Sequence, residues 1–415
     1  MSFFWIDSAR GIKVTYEAFF DELTNEGYNN VFVFKDNPYE VFLNLLRNLV
    51  SKKNSIILDA DFSEDELLSI ELSNDIIADG TYCQQNLSSK FNSLNELFTF
   101  LNLESNNLKV EIYTSGTTGR PKKVIQTLKN ITRAVKIGEQ MKNKVWAFAY
   151  NPTHFAGLQV FFQAFFNKNT MVYVFAKDYT EVFKDFLNYK ITNLSSTPTF
   201  MKMLIPNISD PLDTVESLTF GGERFNPKLV RKIKEKFPNS SVKNVYASSE
   251  AGSLLRAESE FFVIPDKYKK YIKIEESELW VHQELLGDLS SVELINSWYK
   301  TGDMVEYIDK SKFKFLNRKA QMINVGGYKV NPNEIEEIIA QIDDVEDVIV
   351  FGKKNSLLGN IIVASVVKAV EVSDLELKKQ IKRAVRKKLQ EYKVPQKINF
   401  VKSFCLTRTG KIKRA

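Results

Sequence analysis

Residues 113–124 read Tyr113-Thr114-Ser115-Gly116-Thr117-Thr118-Gly119-Arg120-Pro121-Lys122-Lys123-Val124, a run made almost wholly of hydroxyls, glycines and cations. That mixture suits a polyphosphate. Gly116 and Gly119 allow positive φ and leave amide N–H groups uncovered. Thr114, Ser115, Thr117 and Thr118 add hydroxyl donors, and Lys122 adds a compact positive charge. The same composition also makes ordinary polar turns. The G-x-x-x-x-G-K-[ST] spacing of P-loop kinases and ATPases is absent, which argues against that class. Leu108, Val110 and Ile112 precede the run and a helix-compatible stretch follows, so it is expected at the end of a strand.

The order Y-T-S-G-T-T-G-x-P-K-x-V resembles the phosphate-binding signature of adenylate-forming ligases. That superfamily holds acyl- and aryl-CoA synthetases, the adenylation domains of peptide synthetases, and firefly luciferase. Later stretches resemble its motifs in the same chain order. Pro152-Thr153-His154-Phe155-Ala156-Gly157 is similar to P-x-x-H-x-x-G, which borders the acid pocket of CoA-type ligases. Gly221-Gly222-Glu223 resembles the G-G-E segment that flanks adenine and the acid. Tyr246-Ala247-Ser248-Ser249-Glu250 resembles Y-G-x-T-E, with a ring to stack on adenine, a Ser249 hydroxyl for phosphate and a Glu250 oxygen for Mg²⁺. Tyr299-Lys300-Thr301-Gly302-Asp303 matches Y-x-T-G-D, and a carboxylate such as Asp303 can accept both hydroxyls of a ribose. Phe315-Leu316-Asn317-Arg318 resembles F-x-G-R, whose arginine contacts ribose and phosphate in relatives.

The resemblance puts a hinge at Lys319-Ala320-Gln321, with Ala320 where relatives carry Asp or Lys. It makes Gly326-Gly327 the face presented to a thiol, and it gives Lys411, in Leu406-Thr407-Arg408-Thr409-Gly410-Lys411-Ile412, the role of reaching the bond formed between carboxylate and α-phosphate. Lys411, Glu250 and His154 are thus the catalytic candidates; basic tails are otherwise usually solvated. Phe155, Gly157, Thr199, Phe200 and Ala247 join His154 as acid-pocket candidates. No Asp stands between Asn151 and Val160 to meet a substrate ammonium, which favours an acid without an α-amino group.

These residues imply an AMP-forming acid–thiol ligase that uses ATP, Mg²⁺ and CoA. A carrier-protein phosphopantetheine is the alternative acceptor, and a nucleotide-binding protein without turnover is a further reading. The acid is expected to be a small to medium aryl or acyl acid; o-succinylbenzoate ligases are one compact group of relatives.

The rest of the chain must hold these loops. Its 415 residues carry 57 basic and 51 acidic side chains, a formal charge of +6, and 44% hydrophobic content, which suits a globular protein of two domains. The Lys/Arg run from Lys378 to Lys388 is interleaved with apolar residues at helical spacing, so a nucleic-acid partner is not expected. Cys83 and Cys405 lack disulfide or metal spacing; with no basic, apolar leader visible and no membrane span expected, a reducing cytoplasm fits.

Strands are expected at 31–34, 55–58, 145–150, 170–175, 192–195, 218–220 and 242–246, and helices at 39–50, 126–141, 181–189 and 227–237. The fold class is α/β, with a large N-terminal domain (1–318) built on a mostly parallel sheet. Residues 247–250 and the other motif loops then fall at the carboxyl ends of strands, where such sheets bind ligands. A small mobile α+β domain (319–415) follows, its first helix opened by Asn331 and Pro332, with Glu334 closing a capping box.

Overall fold

The computed structural model describes residues 3–25, 31–34, 37–53, 55–59, 62–70, 91–115, 121–223, 227–309, 311–325, 328–355 and 359–405. The chain packs as two units: one comprises Met1–Ile272 and Val281–Tyr299, the other Lys273–Trp280 and Lys300–Thr407.

Two sheets of the first unit are built from β1 (Phe3–Asp7), β2 (Ile12–Thr15), β3 (Val31–Phe34), β4 (Ser55–Asp59), β5 (Lys109–Ser115), β6 (Pro121–Thr127), β7 (Val145–Phe148), β8 (Thr170–Tyr173), β9 (Asn193–Ser196), β10 (Ser217–Gly221), β11 (Ser241–Ser248) and β12 (Gly252–Ala257). Eight of them form one sheet in the order β12-β11-β10-β9-β7-β8-β1-β2. It is parallel from β11 to β1 and antiparallel only at its two edges. The second sheet runs β3-β4-β5-β6.

Helix Pro38–Val50 shows why the two sheets pack as one body. Asn37 caps it, Pro38 sets its first turn, and twelve of its thirteen residues are buried. Even the polar positions of this helix are buried with partners: Arg47 donates to the Glu22 carbonyl and Asn48 to the Ser55 hydroxyl. Its Phe42 stacks on Phe161 of helix Phe155–Phe165 at 4.1 Å, and one apolar cluster joins both helices to Val110 and Val124 of one sheet and Trp146 and Phe148 of the other.

One expectation is corrected here. Residues 126–141 are not a helix: β6 returns beside β5 in an antiparallel hairpin, paired from Lys109↔Thr127 to Ser115↔Pro121. Val124 and Gln126 are buried while Lys123 is exposed, the period of a strand. Only Leu128–Thr132 is helical, capped by the Thr127 hydroxyl, before Gly138 at φ 152° and a short turn at Glu139–Met141. The described chain after Ser115 therefore resumes in a strand, β6, rather than in a helix.

In the second unit, Val345–Asn355, Gly359–Lys368 and Lys397–Phe400 form a three-stranded sheet, and Leu377, Ile381 and Val385 bury one face of helix Asp374–Lys388. Asn331 caps helix Pro332–Ile339 by accepting from the Asn333 N–H. The capping box does not form, because Glu334 pairs with Lys393 at 2.8 Å instead. Among the described residues no helix is long and apolar enough to cross a membrane.

The far edge of the large sheet is fastened by buried charge. Asp7, fully buried at the end of β1, receives Arg10 Nη1 at 2.7 Å and faces Lys177 Nζ at 3.6 Å. Lys177 also reaches Asp185 at 3.0 Å, and the Ser8 hydroxyl donates to Asp185 at 2.7 Å. Removing one partner from such a set strands the remaining charges. Lys177→Met is expected to cost about 3 kcal/mol in urea denaturation; a loss below about 1 kcal/mol would mean that water reaches the carboxylates.

Candidate active site

The motif loops of the first unit leave the same end of its parallel strands. Asn151–His154 follow β7, Thr197 follows β9, Gly222 and Glu223 follow β10, and Ser249 and Glu250 follow β11. Tyr246, Ala247 and Ser248 lie within β11 rather than in the loop, with a register shift between Tyr246 and Ala247. The buried Ser248 hydroxyl then accepts from the Ala251 N–H at 3.1 Å and closes the turn.

The hairpin and this turn meet. Lys122 stands opposite Thr114, one pair from the Ser115–Pro121 end of the hairpin, and its Nζ lies 3.3 Å from Glu250 Oε1. The cation expected to hold phosphate and the carboxylate expected to hold Mg²⁺ are thus neighbours. Thr114 and Ser115 end β5; Gly116, Thr117, Thr118 and Gly119 lie outside the described residues, as do Gly326, Gly327 and Lys411.

A residue that no motif contains makes this meeting rigid. Gln126 is fully buried, and its Nε2 donates to the carbonyls of Ser249 at 2.5 Å and Glu250 at 2.8 Å. Gly287 N–H adds a bond to the Glu250 carbonyl at 3.2 Å, and Asp288 N–H bonds Ile125 at 2.9 Å. A Cβ at Gly287 would lie 2.6 Å from Gln126 Oε1, so only glycine fits there. Arg133 extends the clamp: it donates to the carbonyls of Ala251 at 3.0 Å and Leu285 at 2.8 Å, and to Asn130. The signal in the sequence was a polar residue at an inward position of β6, legible only once the strand is recognised.

Asp288, beside this clamp, is held at a pKa of about 2 by the Ser290 hydroxyl, Lys109 and the Ser290 N–H.

The other loops are also joined. Glu223 accepts from the Thr199 N–H at 3.0 Å and from its hydroxyl at 2.7 Å, which ties the turn after β10 to helix Pro198–Leu204. Phe155 and Phe200 are almost fully buried at the starts of their helices. A Cβ at Gly157 would come within 2.4 Å of the Asn151 carbonyl, so helix Phe155–Phe165 rests directly on that turn. His154 Nε2 lies 3.4 Å from Asp59 Oδ2, a carboxylate supplied by β4. His282 is structural, accepting from the Glu284 N–H and packing against Trp298.

In the second unit, Asp303 and Arg318 face each other across paired strands, with Nε 3.1 Å from Oδ1. Buried Glu278, also outside every motif, accepts the Gly302 N–H at 3.0 Å and pairs with Lys319 at 3.2 Å. Ala320 lies in the turn Lys319–Gln321 after Arg318.

The donor set fits Mg²⁺. Among the described residues no three His, Cys, Asp or Glu side chains gather into a cage. Mg²⁺ binds instead through one or two carboxylates together with substrate phosphates and water, and Glu250, beside Lys122, is a carboxylate of that kind.

The model of the AMP-binding enzyme family matches residues 32–273, and that of the AMP-binding enzyme C-terminal domain matches 334–411. The 2-succinylbenzoate–CoA ligase of Staphylococcus epidermidis is 26% identical over 341 residues, covering 75% of this chain and 69% of that protein. Bacitracin synthase 3 of Bacillus licheniformis is 25% identical over 75% of this chain, which spans 5% of that far longer protein. Among solved structures, ATP-bound MatB from Rhodopseudomonas palustris aligns with a TM-score of 0.77 at 17% identity, over 99% of this chain and 94% of that one. The o-succinylbenzoate CoA synthetase of Bacillus subtilis, in complex with its acyl-adenylate, aligns with a TM-score of 0.69 at 18% identity over the same shares. These likenesses establish the α/β fold.

Gln126→Leu should leave the Ser249 carbonyl without its Gln126 donor and the Glu250 carbonyl with the Gly287 N–H alone. The expected result is a loss of about 2 kcal/mol in stability and a rise of about tenfold or more in the KM for ATP, read from pyrophosphate release. An unchanged KM would show that the turn holds its shape without the clamp.

Proposed function

The chain belongs to the AMP-binding enzyme family, and from that premise we propose that it is an ATP-dependent carboxylate–CoA ligase acting on a small to medium aryl or acyl acid. The observation that carries the reading is the meeting of Lys122, beside the Ser115–Pro121 end of the β5–β6 hairpin, with Glu250. Bound Mg²⁺ would neutralise charge on the polyphosphate and supply an electrophilic field at its oxygens. Lys122 would bind phosphate, Glu250 would hold the cation, and Gln126 and Arg133 would keep the Glu250 turn in place.

The substrate carboxylate is already ionised at neutral pH, so no general base is needed. One of its oxygens attacks the α-phosphorus; the C–O–P bond forms as the bond to the β-phosphate bridge breaks, and pyrophosphate leaves with that electron pair. In the second step a thiol sulfur bonds to the acyl carbon, AMP leaves, and the thiol proton passes to solvent. Catalysis is alignment and charge compensation. Lys411 would serve the first step. Asp303 and Arg318 would hold ribose and phosphate, with Tyr246, Ser249, Gly221 and Gly222 around the nucleotide.

His154, Phe155, Thr199, Phe200 and Ala247 would wall the acid pocket. We place the pivot of a small mobile domain at Arg318 to Ala320, where Glu278 already holds Lys319, with Gly326 and Gly327 turned to the thiol in the second step. Support for CoA as acceptor comes from relatives named 2-succinylbenzoate–CoA ligase and putative long chain fatty acid–CoA ligase, which this chain covers over 69% and 74% of their lengths.

Lys411→Ala is expected to slow adenylate formation by about a hundredfold or more, while thioester formation from supplied acyl-AMP stays within about threefold. Separate assays of the two half-reactions check this, and equal loss in both would contradict the assignment.

A further inference from the structure

Asp59 belongs to no motif, yet it reaches from one sheet of the first unit to the other. It ends β4, the neighbour of β5, and its carboxylate is nearly buried among Asn151, Thr153 and His154 in the turn that leaves β7. The hydrogen bonds in this cluster leave little freedom. Asn151 Oδ1 accepts from both the N–H and the hydroxyl of Thr153, each at 2.9 Å. The Asn151 amide therefore cannot turn over, and its Nδ2 must donate to Asp59 Oδ1, which it does at 2.8 Å. Asp59 Oδ2 is left for His154. The buried His154 Nε2 has no well-aligned hydrogen bond, and Oδ2 at 3.4 Å is the acceptor beside it among the described residues.

We infer that Asp59 is a positioning residue of the acid pocket: it fixes the His154 proton on Nε2 and holds the ring at one orientation. The inference rests on the reading of His154 as a wall of that pocket. An ionised carboxylate only accepts, so the nitrogen that faces it must carry hydrogen, and the partner of one ring nitrogen sets the tautomer. Asp59 does stay ionised. Burial pushes its pKa up, but its contacts with His154 and Asn151 outweigh burial and leave it below the ordinary carboxylate value.

Replacing Asp59 by its amide inverts this logic without changing shape. In Asp59→Asn the new carbonyl oxygen must serve the Asn151 donor, which turns the new NH2 toward His154 Nε2. The ring then has to accept at Nε2 and carry its proton on Nδ1. The protein has two histidines, so ¹⁵N-histidine labelling of the full chain gives two rings, and His282→Gln assigns them.

The expected result is an Nε2–H ring for His154 in the native protein and an Nδ1–H ring in Asp59→Asn. With it, the KM for the acid should rise about tenfold, the scale of one lost buried hydrogen bond, and the KM for ATP should stay within about twofold. In a His154→Gln background, Asp59→Asn should add little. An Nδ1–H ring in the native protein overturns the inference before any variant is made, so it remains testable if Asp59→Asn fails to fold. An unchanged ring in a folded variant overturns it as well. A ring that inverts with no change in the KM for the acid overturns the pocket role of His154, while acid-dependent pyrophosphate release tests the ligase reading separately.

Discussion

The site depends on one buried amide. Gln126 sits at an inward position of β6, where an apolar side chain would ordinarily pack, and spends its two N–H bonds on consecutive carbonyls of the turn that carries Glu250. A buried carbonyl without a donor is costly, so the turn and the hairpin cannot separate cheaply. The direct contact between Lys122 and Glu250 is partly exposed and weak by itself. The Gln126 clamp, reinforced by Arg133 and the Gly287 N–H, is what makes that contact a fixed feature.

The same economy of means recurs around the sheet. Parallel strands deliver their loops to one end, and each loop is then fastened by a side chain from a neighbour: Glu223 on Thr199, Asp59 on Asn151 and His154, Gln126 on Ser249 and Glu250. The fastening groups are carboxylates and amides, which accept or donate twice and so join segments that a single hydroxyl could not. The chemistry proposed for this family member needs alignment above all, since a carboxylate nucleophile is ready without proton removal. A frame of doubly bonded side chains supplies that alignment.

Much of this was legible in the sequence. The strand before the hydroxyl-rich run follows from residue type and spacing, and the order of the motif loops from the family resemblance; the contact between Lys122 and Glu250 was visible in neither. The stretch 126–141 misled because Val124 to Ile131 suits a strand and a helix almost equally by pattern; the β5 partner decides it, and pairing across the hairpin is not visible in a local window. Gln126, Asp59, Arg133 and Glu278 escaped for a related reason. Each is an isolated polar residue whose partners lie far along the chain, as Asp59 and Asn151 do, and only the fold brings them together. Glu334 shows the converse: its capping role reads well locally, but Lys393 claims its carboxylate.

The central claim is that a substrate carboxylate oxygen attacks the α-phosphorus of ATP. The most direct measurement supplies an acid labelled with ¹⁸O in its carboxylate, together with ATP, Mg²⁺ and CoA, and analyses the nucleotide product by mass spectrometry. AMP carrying one ¹⁸O atom is the result this account predicts, because the bridging oxygen stays with phosphorus when the thiol takes the acyl group. Unlabelled AMP, or label appearing in inorganic phosphate with ADP as the product, would contradict it.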